Sequence, residues 1–305
     1  MWCEEELREI EPELPARRTG ARSLAASLRR SLSDRNLTRT RTAVHPHEVT
    51  RGASVIYGPA EGSHGNFIDA SYRRICANPE WRQRLEKVHT SKRMARATGP
   101  DEVVRSWREL DAATSSDALL MNIFCYPRVL ATPRLPALLG LPTGLVPEFG
   151  HHPRVELERK LIDRTEIDLR LGNVLIEAKL TEADFQFAPL RLLERYPGFA
   201  AVFDVDALES SRRGVCSYQL IRGVLAAHAD GSRFCVLSDA RRPDLIEAWF
   251  AVMRAVRSYQ MQSRLRLLTW QEVAGTLPLP LRRFLSDKYG IDSGDTITQC
   301  RHDPD

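Results

Sequence analysis

The stretch TEIDLRLGNVLIEAKLTEADF, Thr165 to Phe185, constrains this chain more than any other. Two runs of alternating apolar residues flank Gly172-Asn173, a pair that tolerates positive φ and joins hairpin strands. A two-residue turn fixes the register: Leu171 pairs with Val174, Leu169 with Ile176, Asp168 with Glu177, Ile167 with Ala178, and Glu166 with Lys179. Side chains alternate faces, so Glu166, Asp168, Glu177 and Lys179 share one face and Ile167, Leu169, Ile176 and Ala178 the other.

Opposed like charges destabilise a sheet. Two charges 4 Å apart at an effective dielectric of about 20 repel by roughly 4 kcal/mol, a large share of a domain's net stability. A divalent cation between Asp168 and Glu177 turns that repulsion into ligation. Mg²⁺ suits the setting, because it takes one or two carboxylates and completes its octahedron with waters and phosphate oxygens. The chain has only five lysines, Lys87, Lys92, Lys160, Lys179 and Lys288, so an ammonium at this spot is informative. Lys179 is suited to orient or deprotonate an attacking water, or to steady a pentacovalent phosphate. The competing structural reading is a salt-bridge ladder in which Lys179 neutralises Glu166, Asp168 and Glu177 without metal.

The surrounding pattern predicts a mixed sheet flanked by helices. Strands are expected at Val155 to Leu161, Glu166 to Leu171, Val174 to Leu180, Arg233 to Leu237 and Arg264 to Thr269. Helical spacing marks Ser217 to His228, Leu245 to Val256, and Leu281 to Lys288 ended by Gly290. Upstream, Trp81, Leu85 and Val88 are spaced for one helix face, and Val104, Trp107, Leu110 and Ala113 for a second. Ser115-Ser116-Asp117 is a cap for a helix through Phe124, with Asn122 as its polar residue in an apolar setting. Residues 1–51 read as a flexible Arg-rich arm, 52–150 as a mainly helical part, 151–290 as the core that carries the charged hairpin, and 291–305 as a tail.

With 43% hydrophobic and 28% charged residues the 305-residue chain is globular, and its net charge of +4 mildly favours polyanions. No apolar run is long enough to span a bilayer, and the acidic start, Met1 to Glu6, lacks a secretory or transit signal. A cytoplasmic location with reduced cysteines is the expectation. Cys3, Cys76, Cys125, Cys216, Cys235 and Cys300 form no zinc or iron–sulfur spacing. His151-His152 lacks a third ligand and reads as solvated, and Asp204-Val205-Asp206 as ordinary alternation. Walker A, G-x-G-x-x-G and G-x-S-x-G sequences are missing, so nucleotide, dinucleotide and serine-hydrolase classes have no support.

Asp168 followed by Glu177-Ala178-Lys179 resembles the signature of the PD-(D/E)xK nuclease superfamily, the restriction-endonuclease-like proteins. Thr181-Glu182-Ala183-Asp184-Phe185 and the downstream Tyr218-Gln219-Leu220-Ile221-Arg222 resemble a bacterial branch of it. The resemblance implies an αβββαβ core and Mg²⁺-dependent (or Mn²⁺-dependent) phosphodiester hydrolysis. It implies a metal held by Asp168, Glu177 and the carbonyl of Ala178, with Lys179 at the attacking water. It places Gln219 near metal and phosphate, with Tyr218 beside it, and Arg222 on phosphate. Glu166 and Glu182 are further candidates. Ile167 stands where the family name has proline. The acid usually given by the first core helix has candidates in Glu109, Glu148, Glu156 and Glu158. Nucleic acid, DNA before RNA, is the expected partner; a homodimer is compatible, and a membrane is not expected. The alternative function is a non-catalytic nucleic-acid-binding or scaffold protein of the same fold.

Overall fold

The computed structural model describes residues 17–42, 45–89 and 107–293. Its centre is a five-stranded mixed sheet of β1 (Glu148–His151), β2 (Ile167–Leu171), β3 (Val174–Ala178), β4 (Arg233–Ser238) and β5 (Leu265–Thr269), in the order β5-β4-β3-β2-β1. Strands β1, β2 and β3 pair antiparallel, and β4 runs parallel to both β3 and β5. The hairpin forms as its alternation requires, with Leu171 opposite Val174 and Leu169 opposite Ile176. Only Gly172 takes positive φ, 58°, as in turns with glycine at the first central position.

The helices that frame this sheet are α1 (Arg17–Thr40), α2 (Asp69–Ala77), α3 (Pro79–Arg84), α4 (Ser116–Phe124), α5 (Tyr218–Ala229), α6 (Pro243–Ala255), α7 (Trp270–Gly275) and α8 (Leu279–Tyr289). One face of the sheet meets α1, α4, α7 and α8 through Leu28, Leu32, Leu119, Ile123, Trp270 and Leu285. The other meets α5 and α6 through Leu220, Ile221, Val224, Leu245 and Trp249. Covered on both sides, β3 is buried along its whole length. That is why Val174 to Ala178 reads as a nearly continuous apolar run broken only by Glu177.

Three expectations are corrected. The first sheet strand is Glu148–His151, not Val155 to Leu161; the latter segment turns back as a short hairpin, Val155–Glu156 against Ile162–Asp163, outside the main sheet. Residues 17–40, expected as part of a flexible arm, form α1, whose Ala25, Leu28, Leu32 and Asn36 are buried. The apolar stripe is one residue wide and diluted by Arg and Ser, too narrow to stand out from the sequence. Trp107, Leu110 and Ala113 are buried as expected, but around a 3₁₀ turn at Glu109–Asp111 rather than a helix, while Val88 is exposed. Residues 1–16 of the arm, Val104, Cys3, Cys300 and the tail from 294 lie outside the described residues. Among those described, no helix is long and apolar enough to cross a membrane.

Candidate active site

The hairpin opens where its charges begin. Beyond Leu169 and Ile176 the ladder stops, and the Ala178 N–H donates to Asp168 Oδ2 at 2.7 Å. In a continuing antiparallel ladder that donor would meet the carbonyl of Ile167. The Asp168 carboxylate thus takes the place of a backbone acceptor, and the strands part there. Ile167 leaves the face of Leu169 and packs in the other core with Leu175. Strand β3 stays on the sheet: Ala178 lies opposite Leu237, and the Lys179 N–H donates to the Leu237 carbonyl at 2.8 Å. The expected cross-strand pairs of Asp168 with Glu177 and of Glu166 with Lys179 are therefore not ladder pairs. Their place is taken by a wedge between a diverging strand and a fixed one.

Asp168, Glu177 and Lys179 meet at this wedge. Glu177 is 3% exposed and Lys179 6%, and the Lys179 ammonium donates to Glu177 Oε1 at 2.7 Å. Burial, then Glu177 and Asp117, push the Asp168 carboxyl well above the usual carboxylate range, against the opposing pull of Lys179 and the Ala178 N–H. Burial alone would lower the Lys179 pKa, but Glu177, Glu182 and Asp168 together raise it above its ordinary value. Lys179 is accordingly an ammonium in this arrangement.

The wedge is braced on every side. The Lys179 carbonyl accepts from Trp270 Nε1 at 2.9 Å, and the Thr181 carbonyl from Arg29 at 2.8 Å. Fully buried Arg242 pairs with Asp244 and donates to the Glu182 and Ala183 carbonyls at 2.7 and 3.0 Å. Glu182 itself accepts from the Leu180 N–H and from Ser116 Oγ, both at 2.6 Å, tying the end of β3 to the first turn of α4. Its carboxylate is thus committed to structure while adding charge beside Lys179.

Glu166 lies on a different set of partners. Arg84 clasps both its oxygens at 2.9 Å and Lys87 reaches it at 3.0 Å; the same two cations hold Asp117 at 2.9 and 3.2 Å. Burial opposes its ionisation, but Arg84 and Lys87 prevail and hold Glu166 down at about 2. The structure thus separates Glu166 from Lys179, contrary to the ladder reading. Gly150, φ 65°, permits the clasp: a Cβ there would sit 2.2 Å from Arg84 Nη1. Trp81 Nε1, bonded to the Pro147 carbonyl at 3.0 Å, fixes α3 against the start of β1.

Sequence reasoning misses Asp117 as a site neighbour. Its place in Ser115-Ser116-Asp117 suggests only a cap, and Ser115 is indeed the cap, accepting from the Ala118 N–H. Asp117 stands in the first turn beyond it, close enough to Asp168 to raise its pKa. The named alternatives lie elsewhere: Glu148 pairs with His151 at 2.7 Å, and Glu156 and Glu158 are exposed on the outlying hairpin. Glu109 belongs to the buried 3₁₀ turn.

From α5, the Gln219 N–H donates to the Phe185 carbonyl at 3.0 Å, and the Phe185 ring lies 5.9 Å from Lys179 Nζ. Gln219 Oε1 is buried without a hydrogen-bond partner. Tyr218 turns away, toward Tyr196, Asp163 and Arg222, and burial raises its pKa. Arg222, expected on phosphate, is 3% exposed; it donates to the Glu166 carbonyl at 3.0 Å and lies 3.9 Å from Asp163. It braces the start of β2 and has no open face for a ligand.

Two carboxylates with a neighbouring carbonyl are few donors, and no group of three or more His, Cys, Asp or Glu among the described residues is arranged to hold a metal. They fit an ion such as Mg²⁺, which needs one or two carboxylates, and not Zn²⁺, which fills its shell with protein ligands. The deep, like-charged surroundings of Asp168 are what a cation would relieve.

A family model described as Restriction Endonuclease associating with ARP matches residues 37–290. No curated protein and no solved structure matches the chain.

Proposed function

The chain belongs to the family of restriction endonucleases associating with ARP, and from that membership we propose that it is a metal-dependent nuclease acting on DNA. Asp168, Glu177 and the Ala178 carbonyl would hold Mg²⁺ or Mn²⁺. When bound, the ion supplies Lewis acidity and masks the phosphodiester charge that repels hydroxide. Lys179, an ammonium while Glu177 and Asp168 stand without an ion, would orient the attacking water and stabilise charge gathering on the phosphate. Gln219 Oε1, a buried acceptor without a protein partner, belongs to a residue whose backbone N–H holds Phe185, the ring beside Lys179, and would assist there. The family's description supports a protein partner of the ARP kind as well.

The observation that carries this reading is the wedge, where a strand leaves its ladder, Asp168 takes the Ala178 N–H, and Glu177 and Lys179 come within electrostatic reach of it. Plasmid cleavage should require Mg²⁺ and fall at least about a hundredfold in Glu177→Ala and Lys179→Ala, with the circular-dichroism spectrum unchanged. Cleavage that survives both substitutions would sink it. One observation favours a second reading, a non-catalytic DNA-binding scaffold: the Lys179–Glu177 pair satisfies both charges without metal. DNA binding that outlasts both substitutions, with no cleavage by the parent protein, would select it.

A further inference from the structure

Asp163 ends the outlying hairpin four residues before Ile167, and it is fixed from below. Its carboxylate accepts from Tyr196 Oη and from the Thr165 N–H, and Arg222 lies 3.9 Å away. The Glu158 N–H donates to the Arg195 carbonyl at 2.8 Å, and Val155 is buried in the core beneath. A two-stranded hairpin is marginal alone. This one is anchored to the elements that carry the wedge.

Its outer face is basic. Val155 pairs with Asp163, so one step outward Arg154 comes opposite Arg164. Like charges opposed in this way destabilise a hairpin unless an anion lies between them. Among the described residues His152, Arg154 and Arg164 line an open cleft of about 480 Å³ and neither arginine is in an ion pair; Asp230, the acid of the adjoining hollow that His152 and Arg154 share, is paired with Arg170 at 3.7 Å. His152 is held in place by the Arg164 carbonyl at 2.5 Å from Nδ1, which leaves Nε2 toward the cleft or solvent. At the tip Arg159 and Lys160 both take left-handed backbone, φ 60° and 59°, positions that glycine or asparagine would fill at lower cost. The turn does not explain why two exposed cations stand there. The exposed acids of the hairpin, Glu156 and Glu158, do not line the cleft.

We infer that residues 152–164 form a phosphate-gripping finger for the nucleic-acid backbone. His152, Arg154 and Arg164 take one phosphate in the cleft, and Arg159 and Lys160 a further one at the tip. The inference rests on the nuclease reading for its substrate. Asp168 lies four residue steps after Arg164, at most about 14 Å of extended chain. A strand in the wedge reaches the cleft within about four nucleotides at 3.4 Å per step.

The test uses the full chain, a fluorescently labelled DNA duplex and EDTA, so that cleavage plays no part. Arg159→Gly/Lys160→Gly suits the turn's backbone, and its melting temperature should equal or exceed the parent's. Arg154→Ala/Arg164→Ala removes the opposed charges. Each pair should weaken binding tenfold or more at low salt and reduce the slope of log K against log salt by about 0.9 for each phosphate no longer gripped. Unchanged affinity and slope in folded variants, or no binding by the parent, overturns the finger. Cleavage in Mg²⁺, measured separately, distinguishes the two readings. A parent that cleaves while its variants bind as before keeps the nuclease and loses the finger; finger-dependent binding without any cleavage does the reverse.

Discussion

Asp168 accepts the Ala178 N–H at 2.7 Å and lies near Glu177 and Asp117, so burial and two like charges oppose its ionised form while Lys179 and one dipole favour it. Its folded pKa is raised above the unfolded value. The stability this group contributes is therefore present below the unfolded carboxylate pKa and lost as pH rises through the folded one. Above that range, and without divalent cations, this group works against the fold. Asp168→Asn keeps an acceptor for Ala178 and should melt a few degrees higher in EDTA. Mg²⁺ should stabilise the parent, by about 2.7 kcal/mol at a hundred times Kd, and leave the variant unmoved. Equal responses to Mg²⁺ would remove Asp168 from the metal site. Glu166 has the opposite sign. Held at about 2, it contributes stability that is present above the ordinary carboxylate pKa and fades as pH falls toward 2. Glu166→Gln should cost on the order of 2 kcal/mol at neutral pH, allowing for partial solvent access, and flatten acid unfolding in that window.

At the scale of elements, α1 shows how a segment composed like a tail can belong to the core. Leu28 and Leu32 enter the same cluster as Trp270 and Leu285, and Arg29 reaches the Thr181 carbonyl beside the wedge. Asn36 accepts from both Tyr57 Oη and Lys288 Nζ, at 3.0 and 2.7 Å, and so joins α1 to the Val55–Tyr57 strand and to α8. Lys288 is fully buried between the Tyr57 and Tyr289 rings with no carboxylate on it among the described residues, and burial, then Arg39, drive its pKa well below the ordinary lysine value. The unfolded chain holds that proton more tightly, so stability grows as pH rises from the folded toward the unfolded pKa. Lys288→Met should be neutral or stabilising at pH 7 and should flatten this slope in urea titrations; a large loss at neutral pH would mean that the amine is charged in the fold. Leu32→Ala should cost about 2–5 kcal/mol.

Across the whole molecule, what was legible in the sequence is what local pattern dictates. Alternation and Gly172 fixed the hairpin and its register as far as Leu169, and helical spacing located α5, α6 and α8. The rest depends on contacts between distant segments. Arg84 can be matched to Glu166 and Asp117 only once α3 lies across β1, and β1 itself carries Gly150 in place of strand alternation. The departure of Ile167 from its face is decided by a side-chain hydrogen bond, not by periodicity. Because β3 gives Leu175 to one hydrophobic cluster and Ile176 to the other, the two halves of the interior share one strand. They should therefore unfold together. Leu175→Ala and Ile176→Ala should each cost about 2–5 kcal/mol and shift one common transition without changing its denaturant slope. Trp249 and Trp270 sit in opposite clusters, and each can be followed alone in a variant whose other four tryptophans are Phe. If their transitions part, the strand does not couple the two faces, and the wedge at its end is held by one of them alone.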